Sequence, residues 1–389
     1  MRESEEQTQL RGVLRDFFGA TPRGFDKALW ARMAGEIGVQ GLAIPEEYGG
    51  AGFSFADLAV ALEEAGRALA GGPLLSTVVL AGYTLLLSDD KAACRQHLPA
   101  IAAGTRTATV AGFGGGELTA TREAGGWFGD GHADFVLDGA GADLILLAAR
   151  TGAGTGLFAC EAGAPGLARQ ARTVLDGTRP QALVTLRHTP LTPIGEPGAA
   201  EAVVERVLDI GRAALAAEQA GGSAHALDAT VSYVTQRHQF GRPIGSFQAV
   251  QHRLADLLVE IEAARSAAAY AASCVAGPPE EVAGPPEEVA GPPEEVAPPP
   301  EEVAPPPEEV AGPPEELAVA AAAAQVVCSE TFRRAAEEYV QLHGGIGFTW
   351  EHPAHLYLRR ARSAQVLFGT ADDHRARLGA LLGLTEHIT

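Results

Sequence analysis

The sequence predicts an α+β protein built as helices, then strands, then helices, because the spacing of its apolar residues changes character twice. Up to residue 104 apolar side chains recur every three or four positions. Between about 105 and 196 they gather into short runs bounded by Gly, Asp and Pro, and from 200 onward the helical spacing returns. Blocks segregated in this way suit separate layers or domains rather than a wound sheet of alternating strands and helices. The expected units are an N-terminal helical domain (1–104), a central β domain (105–196) and a C-terminal helical bundle (197–389).

In the first unit, helices are expected over 25–37, 55–69 and 74–87, with Gly and Pro between them. In the second, Thr107-Ala108-Thr109-Val110-Ala111, Phe135-Val136-Leu137, Leu144-Ile145-Leu146-Leu147-Ala148, Gly156-Leu157-Phe158-Ala159-Cys160 and Ala182-Leu183-Val184-Thr185-Leu186 read as strands. In the third, helices are expected over 202–238, 247–275, 315–342 and 372–384. Trp30 and Trp350 are expected in the core.

At 389 residues, 46% of them hydrophobic, the chain has material for two or three cored units. No apolar run reaches the roughly 18 residues needed to span a bilayer. The start, Met1-Arg2-Glu3-Ser4-Glu5-Glu6, lacks the charged-then-apolar layout of a secretion signal, so a cytoplasmic protein is expected. Cys94, Cys160, Cys274 and Cys328 form no C-x-x-C pair, which points to buried, reduced core residues rather than a zinc site or a disulfide framework. No metal spacing joins the eleven histidines. The net charge of −20 argues against a nucleic-acid partner, since phosphate neutralisation needs clustered Lys and Arg.

Much of that charge is local. Residues 276–317 are six consecutive seven-residue units: Ala-Gly-Pro-Pro-Glu-Glu-Val three times, Ala-Pro-Pro-Pro-Glu-Glu-Val twice, then Ala-Gly-Pro-Pro-Glu-Glu-Leu. They hold twelve glutamates, which leaves −8 for the rest of the chain. Two or three prolines per unit forbid a continuous helix, so polyproline-like or disordered chain is expected there. The last unit runs into an alanine-rich helix former with Pro and Glu at a helix start, and the upstream copies read as expansion of a short helix–helix connection. An inert, solvated insert or a docking segment is the expected role.

Functional chemistry concentrates at one corner. Arg237-His238-Gln239-Phe240-Gly241-Arg242-Pro243-Ile244-Gly245-Ser246-Phe247-Gln248 closes one helical segment and opens another. Arg237 offers a planar fork of donors suited to a pyrophosphate, Gln239 adds amide donors, Phe240 a stacking face, and Gly241 with Pro243 a turn. In Gln341-Leu342-His343-Gly344-Gly345-Ile346-Gly347-Phe348, glycines let backbone approach a ligand closely. His343 and His238 are read as packing or hydrogen-bonding residues. A third run, Pro45-Glu46-Glu47-Tyr48-Gly49-Gly50-Ala51-Gly52, lies near the start, and its two glutamates are expected to shape a turn.

With these three runs in this order and spacing, the chain resembles the FAD-dependent acyl-CoA dehydrogenase family from residue 1 to about 385. The resemblance implies an N-terminal helical domain, a central β-barrel-like domain and a C-terminal four-helix bundle that makes dimer and tetramer contacts. It also implies oxidation of an acyl-CoA at Cα–Cβ. A carboxylate takes the α-proton while the β-hydrogen leaves as hydride to FAD, which an electron-transfer acceptor reoxidises.

The resemblance assigns the base to two alternative places, and neither holds one here. Most of the family carries a glutamate just before a Gly-Thr, where this chain reads Val366-Leu367-Phe368-Gly369-Thr370; a branch carries it before an Arg on an earlier helix, where this chain reads Leu208-Asp209-Ile210-Gly211-Arg212. Phe368 and Gly211 cannot accept a proton, so no catalytic residue is expected. Asp209, about 200° around a helix from Gly211, points elsewhere; Asp372 is four residues beyond Phe368, and Thr370 with Asp373 looks like a helix-capping pair. Losing a general base costs about 10²- to 10⁴-fold in rate.

The flavin-facing segments also differ. Ala111-Gly112-Phe113-Gly114-Gly115-Gly116-Glu117 stands where the family has Thr-Glu-Pro followed by Gly-Ser-Asp, and Phe135-Val136-Leu137 where it has Trp-Ile-Thr or Trp-Ile-Ser. Phe135 can still stack, but Leu137 has no hydroxyl to donate. The residues that cradle the ADP half are kept: Arg237, Gln239, Phe240, Gln248, Gln341, Gly344 and Gly345. In the family these reach across the dimer interface to the neighbour's FAD.

The expected function is therefore a non-catalytic subunit of a heteromeric acyl-CoA dehydrogenase, paired as α2β2 with a base-bearing subunit. In the family such pairs often act on ring-bearing thioesters such as steroid side-chain CoA esters. The alternatives are a homo-oligomeric dehydrogenase with an unrecognised base, or a scaffold protein on the same fold that docks partners through its Pro-Glu repeat.

Overall fold

The computed structural model describes residues 3–19, 26–114, 116–275 and 314–384, and several of its helices begin where a short polar side chain takes up free backbone N–H groups. After α1 (Glu5–Gly19), Asp26 accepts from the Ala28 N–H at 2.9 Å and opens α2 (Lys27–Glu36). Residue 25, the expected start of this helix, lies outside the described residues. Ser54 and Asp57 form a capping box ahead of α3 (Phe55–Ala68). The next expected helix is one rod of two pitches: Leu74–Ala81 winds as a π-helix and continues as α4 (Gly82–Leu87). Asp90 takes the N–H groups of Ala92 and Ala93, each at 3.0 Å, and opens α5 (Lys91–Ala102).

Seven strands follow: β1 (Ala108–Ala111), β2 (Glu117–Glu123), β3 (Gly126–Leu137), β4 (Leu144–Thr151), β5 (Gly154–Glu161), β6 (Leu167–Ala171) and β7 (Gln181–Gly198). Tracing the pairings β4 to β2, β2 to β3, β3 to β7, β7 to β5 and β5 back to β4 returns to the starting strand. The sheet is thus a closed barrel, with β1 added in parallel beside β4 and β6 antiparallel on β7. The five expected runs fall in strands, save Thr107, which precedes β1. β2, β6 and most of β3 were not expected, and burial explains why: β6 has no buried residue, and in Gly126–Asp134 of β3 only Gly129 and Ala133 are buried. Pairing within the barrel, not a hydrophobic run, holds these stretches extended.

The chain returns to helix with α6 (Glu201–Gln236), a two-residue hairpin pair β8 (His238–Gln239) and β9 (Arg242–Pro243), α7 (Gln248–Ser273), α8 (Pro314–His343), α9 (Ala354–Ala364) and α10 (Ala371–Leu381). Residues 276–313 of the repeat lie outside the described residues, while its last unit does open α8, at Pro314. α9 was not expected, since five of its eleven residues are charged or polar and its inner face buries an arginine, Arg360. Trp30 is buried as expected, but Trp350 is 74% exposed: the turn after α8 carries it outward, with the Arg359 guanidinium 4.6 Å above its ring. All four cysteines are buried. Among the described residues, no helix is long and apolar enough to cross a membrane.

α6 is the axis of the molecule. Seventeen consecutive residues, Val207 to Ser223, are buried on every side, as expected of a helix surrounded by others. Its crossing with α3 is a backbone contact made possible by glycine on both helices. A Cβ at Gly66 would lie 2.1 Å from the Glu218 carbonyl oxygen, and one at Gly221 would lie 1.8 Å from that of Glu63.

The barrel is tied to this axis by buried charges. In the loop between β6 and β7, Asp176 pairs with Arg360 of α9, Arg360 donates to Thr178 Oγ1 at 2.6 Å, and Arg179 pairs with Glu218 of α6. All four charged side chains are buried. Burial by itself would raise Asp176, but the Arg360 charge and the Thr178 hydrogen bonds outweigh it and hold the carboxyl below its ordinary value. Removing one partner strands the other in a dry site, so Arg360→Ala is expected to cost about 3–5 kcal/mol. Urea unfolding of the variant beside the parent chain measures this.

Candidate functional site

The corner between α6 and α7 is a tight hairpin. β8 and β9 pair His238 with Pro243 and Gln239 with Arg242, leaving Phe240 and Gly241 as a two-residue turn. Both residues have positive φ, 51° and 78°, the signature of a type I′ turn, in which glycine is favoured and phenylalanine is not. The turn holds the Phe240 ring 89% exposed, with an edge toward Phe247 at 6.1 Å. The Arg242 guanidinium lies 4.0 Å above the Phe247 ring.

The second run folds onto the same end of the bundle. Gly344–Phe348 forms a 3-10 turn after α8, and the His343 ring stacks on Tyr233 of α6 at 4.1 Å, while the Tyr233 hydroxyl reaches the His343 carbonyl oxygen at 3.4 Å. Tyr233 stands one helical turn before Arg237, so the two runs meet. Arg237, Gln239, Phe240, Gln248, Gln341, Gly344 and Gly345 are all exposed. Among the described residues, the side chains of Arg237, Gln239, Gln248 and Gln341 make no hydrogen bond or ion pair. Gly345 adopts no left-handed conformation, and among the described residues no atom beyond its chain neighbours and its own turn lies within 4 Å of where its Cβ would be. The described residues around it leave that backbone open to approach from outside.

The corner can therefore hold an extended anion with an aromatic end, using a guanidinium, three amides, a ring and open backbone. His238 is exposed, its Nδ1 3.0 Å from the Gln236 carbonyl oxygen. The early run is built into the first helical block, where Glu46–Tyr48 forms a 3-10 turn closed by Gly49 in the left-handed region, 3.9 Å in Cβ position from Pro99 of α5.

The two places that the resemblance gives to the base also meet. A Cβ at Gly211 would lie 3.4 Å from Phe368 Cε2 and 2.8 Å from Leu80 Cδ2 of the π-helical stretch. The Phe368 ring thus covers Gly211, and Leu80 packs beside both. Phe368 itself is held at φ 63° ahead of Gly369 at φ 111°, and its carbonyl oxygen faces Arg212 Nε at 3.4 Å.

Polar neighbours of this contact are engaged or sealed. Asp209 is buried and accepts from Arg212 Nη1 at 2.6 Å and Arg377 Nη2 at 2.9 Å. Thr370 and Asp373 form the expected capping box of α10, and Asp372 faces solvent beside Arg375. His374 is buried with Nε2 unpartnered; burial, with the charges of Arg212 and Arg377, pushes it down to about 4, so it is neutral and a weak base. Leu80, Arg377 and His374 carried no signal in the sequence, because they converge through the packing of the π-helical stretch, α6 and α10 rather than through any spacing.

On the barrel side, Phe135 is exposed with φ 55°, while Val136 and Leu137 are buried. Phe113 is buried as well, and Gly112 is fixed by the Ala148 carbonyl oxygen, 2.3 Å from where its Cβ would be. Gly115 lies outside the described residues. Leu137 is a buried apolar side chain with no hydroxyl to offer there.

Comparison with known proteins agrees with this architecture. The family model for the acyl-CoA dehydrogenase N-terminal domain matches residues 4–105, and that for the C-terminal domain matches 201–289 and 308–382. The acyl-CoA dehydrogenase IpdE2 of Mycobacterium tuberculosis is 36% identical over 350 residues, covering 90% of this chain and 85% of that protein. FadE34 of the same organism is 35% identical over 91% of this chain, which spans only 42% of FadE34. Among solved structures, a variant of the Tcur3481–Tcur3483 steroid ACAD is 31% identical with a TM-score of 0.79, covering 98% of this chain and 99% of that one. The ChsE4–ChsE5 complex of Mycobacterium tuberculosis is 26% identical, also with a TM-score of 0.79, over 98% of both chains. With these matches running through the helical blocks and the barrel alike, the chain belongs to the acyl-CoA dehydrogenase family of FAD-dependent oxidoreductases.

Proposed function

We propose that this chain is the non-catalytic subunit of a heteromeric acyl-CoA dehydrogenase, built from units 1–104, 105–196 and 197–389. It would present Arg237, Gln239, Phe240, Gln248, Gln341, Gly344 and Gly345 to the ADP half of an FAD whose flavin end rests in a base-bearing partner. The observation that carries this reading is the Phe368 ring lying over Gly211. A carboxylate at either family position would face the other across this gap, and the chain has an aromatic ring and a hydrogen there instead.

The residues fit one half of the cofactor and not the other. Exposed, unengaged donors and an open glycine suit a pyrophosphate and adenosine approaching from outside the chain. The barrel side lacks a donor at Leu137 for a flavin edge, so no step is assigned to a flavin in this chain's own cleft. Bound FAD supplies the hydride acceptor for desaturation. What this chain contributes is binding: Arg237 would neutralise phosphate charge, Gln239, Gln248 and Gln341 would orient it, and Phe240 would cover the adenine end from water. Two relatives support a pair of unlike subunits, since their names join two components, Tcur3481 with Tcur3483 and ChsE4 with ChsE5. The first is named a steroid enzyme, which favours a ring-bearing acyl-CoA as the substrate of the pair.

Purified alone, the chain is expected to hold little FAD, and co-expression with a base-bearing family member to give an α2β2 complex with about one FAD per heterodimer, read by flavin absorbance and mass photometry. Stoichiometric FAD with turnover in the lone chain would overturn the proposal. In the complex, Arg237→Ala removes a charge-assisted bond of about 1.5–3 kcal/mol and should weaken FAD retention about 10- to 100-fold, measured by fluorescence on dilution. Phe368→Glu in the lone chain should leave it without turnover; measurable flavin bleaching by an acyl-CoA in that variant would favour a self-sufficient enzyme.

A further inference from the structure

The Gly344–Gly345 turn rests on a stack of rings whose middle member can take a proton. His343, the last residue of α8, is 5% exposed. Its ring lies 4.1 Å from Tyr233 of α6, 4.8 Å from Tyr339 on its own helix and 4.5 Å from His352 on the turn that follows. The array continues inward through Tyr339 to Tyr357 of α9, at 5.7 Å, and Tyr357 stacks on His225 of α6 and donates its hydroxyl proton to the Arg67 carbonyl oxygen at 2.6 Å. His343 therefore sits where the two cofactor-facing runs join the interior.

The hydrogen bonds define which form fits. His343 Nδ1 lies 2.7 Å from the Tyr339 carbonyl oxygen, which can only accept, so Nδ1 carries the hydrogen and Nε2 the lone pair in the neutral ring. A second proton would enter a site packed by Tyr233 from α6, Tyr339 from α8 and His352 from the turn, with Gly347 closed over the His343 Cβ. None of these groups is a carboxylate. Burial holds His343 below the ordinary histidine range, the Tyr339 carbonyl opposing this and His352 adding to it.

We propose that His343 is a proton-operated latch on the corner: its neutral ring locks the 341–348 turn against α6, and protonation releases that turn together with the Arg237 hairpin. Two connections transmit the change. The His343 carbonyl oxygen accepts the Tyr233 hydroxyl, and Gly344 follows directly in the left-handed region, where glycine offers little resistance to reorientation. The sign follows from linkage: a histidine held below its unfolded value stabilises the closed corner fully above that value, and this stabilisation is lost as pH falls through the folded one. This inference depends on the functional reading only for naming what is released, a nucleotide-holding arm.

Hydrogen–deuterium exchange on the full chain alone, without FAD or partner, tests it apart from that reading. Corrected for intrinsic rates, the peptides covering 341–348 and 234–240 should exchange about tenfold faster at about pH 5 than at about pH 7.5, while α3 stays protected. His343→Phe, which keeps a ring but cannot be protonated, should abolish the difference. Equal opening in that variant, opening of only one of the two peptides, or no change in the parent chain overturns the latch. Should the variant fold poorly, imidazole NMR of the parent chain decides: His343 titrating at or above the ordinary value near 6.5 also overturns it.

Discussion

Four buried charges at the meeting of barrel and bundle, Asp176, Arg179, Glu218 and Arg360, fix everything else in place. Each is expensive to take out of water, and each is compensated only in the assembled geometry. An apolar junction would tolerate sliding by a fraction of a helical turn, whereas ion pairs with fixed forks do not. Because Glu218 lies on α6 between Gly211 and Arg237, locking its register against the barrel locks both the covered base position and the exposed corner. The glycine crossing of α3 over α6 adds a second restraint at the same residue, since the Glu218 backbone is what Gly66 makes room for.

The two halves of the site follow from different kinds of contact, which is why the sequence revealed one more fully than the other. The corner is local: Gly241 signals a turn, though the structure places it at Phe240-Gly241 with Pro243 paired to His238, and the residues around it have types whose chemistry can be read directly. That Phe368 lies over Gly211 is a contact between residues 157 positions apart, and only the missing carboxylates were visible beforehand. Capping pairs at Ser54 with Asp57 and at Thr370 with Asp373 were legible for the same local reason, though only the second was anticipated. β2 and β6 were hidden because exposed strands in a barrel need no apolar pattern, and Trp350 misled because a large ring in a helical region normally turns inward.

Covering Gly211 with Phe368 is a cooperative arrangement. The ring occupies space that a side chain at 211 would need, and Leu80 closes the remainder from the π-helical stretch. A side chain added at 211 would press on Leu80 and lie against the Phe368 ring, so a carboxylate on α6 needs room made by residues remote in sequence. The left-handed backbone at Phe368, costly for a non-glycine residue, is sustained by the same packing and by Arg212 at its carbonyl oxygen.

The ends of α7 and α8 are clasped to each other independently of what joins them: the Tyr270 hydroxyl donates to Glu316 at 2.7 Å, beside the first turn of α8. Closing a connection of six repeat units instead of one raises the loop entropy cost by only about 1–2 kcal/mol. Gain or loss of a unit by replication slippage would therefore be nearly silent to stability. The same junction is a natural place to graft a tag or reporter domain, since the Tyr270–Glu316 bond holds the helix ends on either side of it.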